Sequence, residues 1–164
     1  MALNIRYKKK THGVTLESGY FYKFNYTAWE NDKEPHIIFL YSFRGTHPNT
    51  GREWRFFEGI NLNYIPRNSR KSFVEDWMEQ MENSNYSAKF TWDTVKNKYP
   101  YLKGAVRRYF YSPRYYIRKL KHIPFDQVEK EIVRSWPKDF SAKVKRNILS
   151  KFKKGKKKGG GLFS

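Results

Sequence analysis

The stretch Trp54–Met81, WRFFEGINLNYIPRNSRKSFVEDWMEQM, is where the chain changes from one kind of order to another. Before it, apolar residues recur in short strand-like runs broken by turn residues. After it, they recur at helical spacing. Phe56, Phe57, Ile60, Leu62, Tyr64 and Ile65 read as a strand, with Ile60, Leu62 and Tyr64 on one face and Asn61 and Asn63 on the other. Gly59 inside that run marks a bulge or a close backbone approach. Pro66 ends the pairing, because it has no N–H to give a ladder. Asn68 or Ser69 is placed to cap a helix, and Ser72-x-x-Glu75 offers a capping box one turn later. Phe73, Val74, Trp77, Met78 and Met81 then share one helical face. The stretch predicts the last main strand of a small sheet running into a helix that covers it.

Working back towards residue 1, His36–Phe43 (HIIFLYSF) is a nearly continuous apolar run, predicting a strand buried on both faces. Residues 44–53 hold two glycines, a proline and an asparagine, the composition of a hairpin loop. Gly19–Tyr26 sets Tyr20, Tyr22, Phe24 and Tyr26 on one face of a further strand. Residues 1–13 read as a polar arm carrying Arg6, Lys8, Lys9 and Lys10.

Working forward, Trp92–Tyr99 predicts a short helix with Thr91 as its cap. Leu102, Ala105, Val106, Tyr109 and Phe110 form an apolar stripe at helical spacing, stopped by Ser112-Pro113. Tyr115–Ile123 fits helix or strand, and its aromatic and β-branched content favours strand. Phe125 to Trp136 and Ser141 to Phe152 predict two more helices. The expected organisation is a basic arm (1–13), one α+β domain (14–152) and a lysine/glycine-rich tail (153–164). Within the domain the sheet spans about residues 19–66 and helices follow from about 69. The predicted fold class is α+β: a small curled antiparallel sheet, SH3-like and partly open as a barrel, followed by a helical and strongly basic second half.

At 164 residues the chain has enough length to bury roughly 68–70% of its unfolded surface. Its core material is aromatic, with 13 Tyr, 13 Phe and 5 Trp, which bury large areas while keeping polar tips. There is no cysteine, which excludes disulfides and thiolate metal sites. No apolar run is long enough for a membrane span, and MALNIRYKKK lacks the apolar core of a signal peptide. A soluble protein made in a reducing compartment is the expectation.

Charge is the strongest compositional signal. The formal net charge is +19, and it is unevenly placed: residues 101–164 hold 19 basic and 4 acidic side chains, against 15 and 11 in residues 1–100. Such a segment repels itself unless a polyanion or an acidic protein surface lies beside it. The candidate binding residues are Arg107, Arg108, Arg114, Arg118, Lys119, Lys121, Lys143, Lys145, Arg146, Lys151, Lys153, Lys154, Lys156, Lys157 and Lys158. Around Tyr109, Tyr111, Tyr115 and Tyr116 the cations interleave with rings, and exposed rings can stack on unpaired bases. Aromatics this frequent must also build the core, so Tyr109, Phe110, Tyr115 and Ile117 read first as core. Leu162 and Phe163 form an apolar hook for partner docking.

No catalytic constellation emerges. His12, His36, His47 and His122 lack metal-ligand spacing, and Gly159–Gly161 lacks the phosphate-loop pattern and a following helix. Glu75, Asp76, Glu79 and Glu82 read as the outer face of the first helix. The expectation is a non-enzyme with no cofactor, no metal and no small-molecule substrate.

Gly19-Tyr20-Phe21-Tyr22-Lys23-Phe24-Asn25-Tyr26-Thr27-Ala28, then Pro35 before Ile37-Ile38-Phe39-Leu40, then Gly59-Ile60-Asn61-Leu62-Asn63-Tyr64-Ile65-Pro66 with Arg70, resembles a pattern in small basic proteins of T4-like tailed phages. The likeness covers about residues 19–80. This chain departs from it at Glu34-Pro35-His36 and in its long lysine tail. The resemblance implies a structural or assembly component of a virion (tail, baseplate or neck), put together in the host cytoplasm. Its partners would be other virion proteins in a multi-copy assembly, or DNA. A free DNA-end or single-strand binder is the alternative.

Overall fold

The computed structural model describes residues 2–5, 14–27, 32–110 and 117–134. Two antiparallel ladders organise them. In the smaller, β1 (Ala2–Ile5) pairs with β2 (Val14–Glu17), Leu3 opposite Leu16. Four residues assigned from sequence to a polar arm are therefore a strand. The larger sheet has five strands: β3 (Phe21–Tyr26), β4 (His36–Thr46), β5 (Glu53–Asn61), β6 (Val106–Phe110) and β7 (Ile117–Ile123). Their order is β6-β5-β4-β3-β7, every pair is antiparallel, and the sheet is not closed into a barrel. The chain is α+β, as its pattern predicts.

The sheet buries both faces of its central part. On one face Phe21, Ile38, Ile60 and Ile123 pack under α1 (Arg67–Asn83), whose Phe73, Val74, Trp77 and Met81 are buried, with Met78 half-buried. Each such side chain contributes about 1.5–3 kcal/mol on burial. Trp77 also fixes the helix in register: its Nε1–H donates to the Gly19 carbonyl at 2.9 Å. Gly19 stands at φ +92°, a conformation that a side chain would resist. On the other face Tyr22, Phe24, Tyr26, Ile37, Phe39, Phe57, Tyr109 and Ile117 form a second, mostly aromatic core.

That second core shows how strongly the sheet curls. In a flat sheet β3 and β6, three places apart, would lie about 14 Å from each other. Instead the Phe24 and Tyr109 rings stand 5.4 Å apart edge to face, and those of Tyr26 and Tyr109 5.2 Å. Gly59 permits the bend. A Cβ there would fall 2.9 Å from Ile37 Cδ1 and 3.0 Å from the Ile38 carbonyl, and the β4–β5 register slips by one residue between Phe39 and Tyr41. Both sequence readings of this glycine, bulge and close approach, hold.

Several expectations are corrected. The stripe Leu102–Phe110 is not a helix: α3 (Leu102–Ala105) is a single turn, and the chain then extends as β6. Residues at i, i+3 and i+4 fit a helix, but pairing decides. β6 ladders with Phe56–Ile60 of β5, and Tyr109 stacks on Phe57 at 5.2 Å, a pairing that no local pattern reveals. One strand of the main sheet thus comes from a stretch expected to be helical. The strand at Tyr115–Ile123 is borne out over Ile117–Ile123. β4 runs to Thr46, longer than predicted, and is buried on both faces only over His36–Phe39.

The helix ends shift as well. α1 begins at Arg67 directly after Pro66, with no side-chain cap, so Asn68, Ser69 and Ser72 lie inside the helix. α2 is Ala88–Val95, earlier than predicted, because the Ser87 hydroxyl takes the Phe90 N–H at 3.2 Å. α4 (Phe125–Val128) passes into a π-helical turn, Glu129–Arg134, that buries Val128 and Ile132. The helix predicted over Ser141–Phe152 and the tail from 153 lie outside the described residues.

Candidate functional site

Of the cations proposed from sequence, the five among the described residues sit on the two edge strands. On β6, Arg107 is half-buried with its guanidinium 4.6 Å above the Tyr64 ring. Arg108 is exposed, 4.7 Å above the Phe43 ring, and donates to Glu58 Oε1 at 3.1 Å. The neighbouring Tyr109 and Phe110 are buried against Phe57 and Phe56, so the rings beside these arginines are core.

On β7 the geometry follows from a bulge. Lys23 faces Lys121 and Asn25 faces Arg118, so three residues of β7 span two of β3. Lys119 absorbs the extra residue at φ +53°. The strand therefore buries Ile117, Leu120 and Ile123 and exposes Arg118, Lys119, Lys121 and His122 in pairs rather than by alternation. Two adjacent cations point outward where a regular strand would turn one of them inward.

Among the described residues, only Lys121 of that group has a carboxylate beside it: Glu131 Oε1 at 3.4 Å, while Lys23 reaches Glu131 Oε2 at 3.5 Å. Burial pushes the Glu131 carboxyl up, but the two lysines outweigh it and hold it below the ordinary glutamate range. Exposed pairs of this kind contribute about 0–1 kcal/mol, too little to withhold Lys121 from a stronger anionic partner. Among the described residues, no carboxylate lies within ion-pairing distance of Arg118 or Lys119. Arg114, Lys143, Lys145, Arg146, Lys151, Lys153, Lys154, Lys156, Lys157, Lys158, Leu162 and Phe163 lie outside the described residues.

The acidic face of α1 is partly engaged. Glu75 lies 3.9 Å from Lys71. Asp76 accepts from the Tyr99 hydroxyl at 2.7 Å, from Lys98 Nζ at 3.1 Å and from Gln80 at 3.4 Å. Glu79 and Glu82 are on the solvent side.

A polar cluster that sequence reasoning missed lies at the end of β5. Asp32 is fully buried; its Oδ2 accepts from the side-chain amides of Asn61, at 3.2 Å, and Asn63, and its Oδ1 from the Glu34 N–H at 3.2 Å. Asn61 also donates to the Tyr109 hydroxyl at 3.0 Å. The arrangement ties the loop before β4 to β5 and β6. The alternation that set Asn61 and Asn63 opposite Ile60, Leu62 and Tyr64 was the available signal, and it gave no partner for them. Among the described residues, no group of three or more His, Cys, Asp or Glu side chains is placed to hold a metal ion, and no helix is long and apolar enough to cross a membrane.

Comparison with protein-family models, with curated proteins and with solved structures finds no match. The functional reading therefore rests on the residues themselves.

Proposed function

We propose that this chain is a non-enzymatic assembly component of a tailed-phage particle, in its tail, baseplate or neck, that docks by charge on acidic surfaces of neighbouring virion proteins or on DNA. The phage class comes from the motif resemblance of residues 19–80, and the curled sheet is on this reading an open form of an SH3-like barrel. The docking mode is supported by one observation above all: the β7 bulge presents Arg118 and Lys119 side by side on an edge strand. An edge strand studded with cations is poorly suited to pairing with another strand, and well suited to an anionic surface. Among the described residues of this stretch the rings, Tyr109 and Phe110, are buried and not open to base stacking, which favours a contact made by charge.

Two measurements test this. The chain should be found in purified particles at a fixed copy number; its absence defeats the assembly role. If the anion is DNA, binding by the isolated protein should weaken steeply with salt, log affinity falling by about 0.9 per duplex phosphate contacted. Undetectable binding at low salt leaves protein as the docking surface, and tight DNA binding by a protein missing from particles favours the free DNA binder.

A further inference from the structure

A groove of about 930 Å3 lies between β4–β5 and the start of α2, lined by Tyr20, Leu40, Tyr41, Tyr86, Trp92 and Val106 among others. It holds Tyr41 and Tyr86, two of the three large apolar side chains exposed among the described residues. Tyr41 and Tyr86 are 42% and 51% exposed, and Phe90, one turn into α2, is 56% exposed; these are the exposed large apolar side chains among the described residues. Tyr86 is held there against its backbone preference, at φ +62°, a left-handed conformation costing about 1–2 kcal/mol for a residue with a side chain. Its N–H donates to the Met81 carbonyl at 2.6 Å, and its ring stacks 6.5 Å from Tyr20. Together with the Asn85 N–H to the Glu82 carbonyl at 3.2 Å, that bond closes the end of α1 and fixes the position of the Tyr86 ring.

The groove also carries two carboxylates in a chain of net charge +19. Glu17 and Glu58 line it, with Lys89 as the one cation among the described residues of its lining. Glu58 already accepts from the Tyr41 hydroxyl at 2.7 Å and from Arg108, whereas Glu17 is exposed. Rings that take apolar or cationic side chains, beside carboxylates that take ammonium groups, fit a peptide combining large apolar residues with lysines. The chain contains one: Lys151–Ser164, KFKKGKKKGGGLFS.

We infer that the groove binds segment Lys151–Ser164 of the same chain, with Leu162 and Phe163 among the rings and the lysines of 153–158 beside Glu17 and Glu58. The placement of α4 favours the same chain over a second copy. The Phe125 ring stands 5.4 Å from Tyr20 and 6.5 Å from Tyr86, and Arg134 follows nine residues later. The 28 residues from Arg134 to Leu162 can span up to about 90 Å, ample to return to the groove. A segment tethered so near competes at an effective concentration that micromolar free copies do not match. This inference does not depend on the assembly role.

The absence of cysteine allows a direct test in the full chain. Ser164→Cys supplies a single thiol for a nitroxide label, whose effect on amide NMR signals reports proximity. Signals of Ser87, Ala88 and Lys89 should lose at least twice the intensity lost by Asn68–Ser72, at the far end of α1, and dilution should not change the ratio. Adding Leu162→Ala and Phe163→Ala should bring that ratio to one. Equal losses at both places in the labelled wild-type background would overturn the inference. So would the same losses at Ser87, Ala88 and Lys89 in thiol-free, isotope-enriched protein mixed with labelled protein that is not enriched, because the occupant would then be a second copy.

Discussion

The Tyr26 hydroxyl accepts the backbone N–H of Phe110 at 3.0 Å, joining β3 to a strand three places away in the same sheet. The bond spans 84 residues of sequence and closes the aromatic core where the sheet curls most. Tyr26→Phe keeps the ring and removes the acceptor, leaving a buried N–H without it. We expect a loss of about 1–3 kcal/mol in urea unfolding. A change below a few tenths would mean that the curl is held by ring packing alone.

Gly59 offers a second test of the same geometry. Gly59→Ala sets a methyl carbon against Ile37 Cδ1 and the Ile38 carbonyl, and a backbone oxygen in the middle of a sheet cannot rotate away. Overpacking of this sort costs about 1–3 kcal/mol. The control is Gly51→Ala in the exposed β4–β5 loop: no atom lies within 4 Å of its added methyl, so its cost comes from φ +67° alone. Thermal unfolding of both variants separates steric crowding from backbone strain.

Legibility from sequence followed the range of the interactions. The face of α1 was readable because Phe73, Val74, Trp77 and Met81 recur within one helix, and the ring-bearing face of β3 because alternation is local. β6 was not, because Leu102, Ala105, Val106, Tyr109 and Phe110 satisfy a helical period as well as a strand. What decides between them is Phe56–Ile60, about fifty residues earlier. Arg107 and Arg108 were legible as cations, but not as guanidiniums resting on Tyr64 and Phe43. The pairing of Arg118 with Lys119 needed the bulge, which only the β3 register exposes. The strand alternation read through Ile65 holds only to Asn61, where β5 ends; Leu62–Tyr64 is a 3-10 turn, and nothing local signals that Asp32 folds over Asn61 and Asn63.

That buried cluster makes its own expectation. Asp32→Ala removes the acceptor for the Asn61 and Asn63 side-chain amides at once. Stranded buried donors cost about 1–3 kcal/mol each, so the loss should approach the upper part of that range or exceed it. Asn63→Ala alone should cost less, because Asp32 keeps its bonds to Asn61 and to the Glu34 N–H. Comparing the two variants by chemical denaturation checks the ordering; equal losses would show that Asp32 serves Asn63 only.

Asp76 should dominate the acid response of α1. Burial raises its pKa, but bonds from Tyr99, Lys98 and Gln80 together with the Lys98 charge outweigh that and lower it below the ordinary 3.8. A carboxyl depressed in the folded state adds stability that is fully present above its unfolded pKa and is lost as pH falls through the folded value. Between neutral pH and about 4 the contribution should hold, and below 3.8 it should decline. Asp76→Asn should flatten that part of the stability–pH curve. An unchanged acid slope in the variant would place the titration elsewhere, Glu131 with its two lysines being next in line.

Lys119 separates the shape of the β7 edge from its charge. At φ +53° any side chain is disfavoured, and a β-branched one most of all. Lys119→Val should therefore cost about 1–2 kcal/mol. In Lys119→Gly the relief of strain roughly offsets the added freedom of the unfolded chain, so stability should stay within about 1 kcal/mol of the parent. Both variants remove the same charge. If β7 docks by charge, they should weaken binding to particles or to DNA alike, and the Gly variant should do so with its fold intact. Binding retained by Lys119→Gly and lost by Arg118→Ala would put the contact on Arg118 alone, and the bulge would then be a matter of sheet geometry.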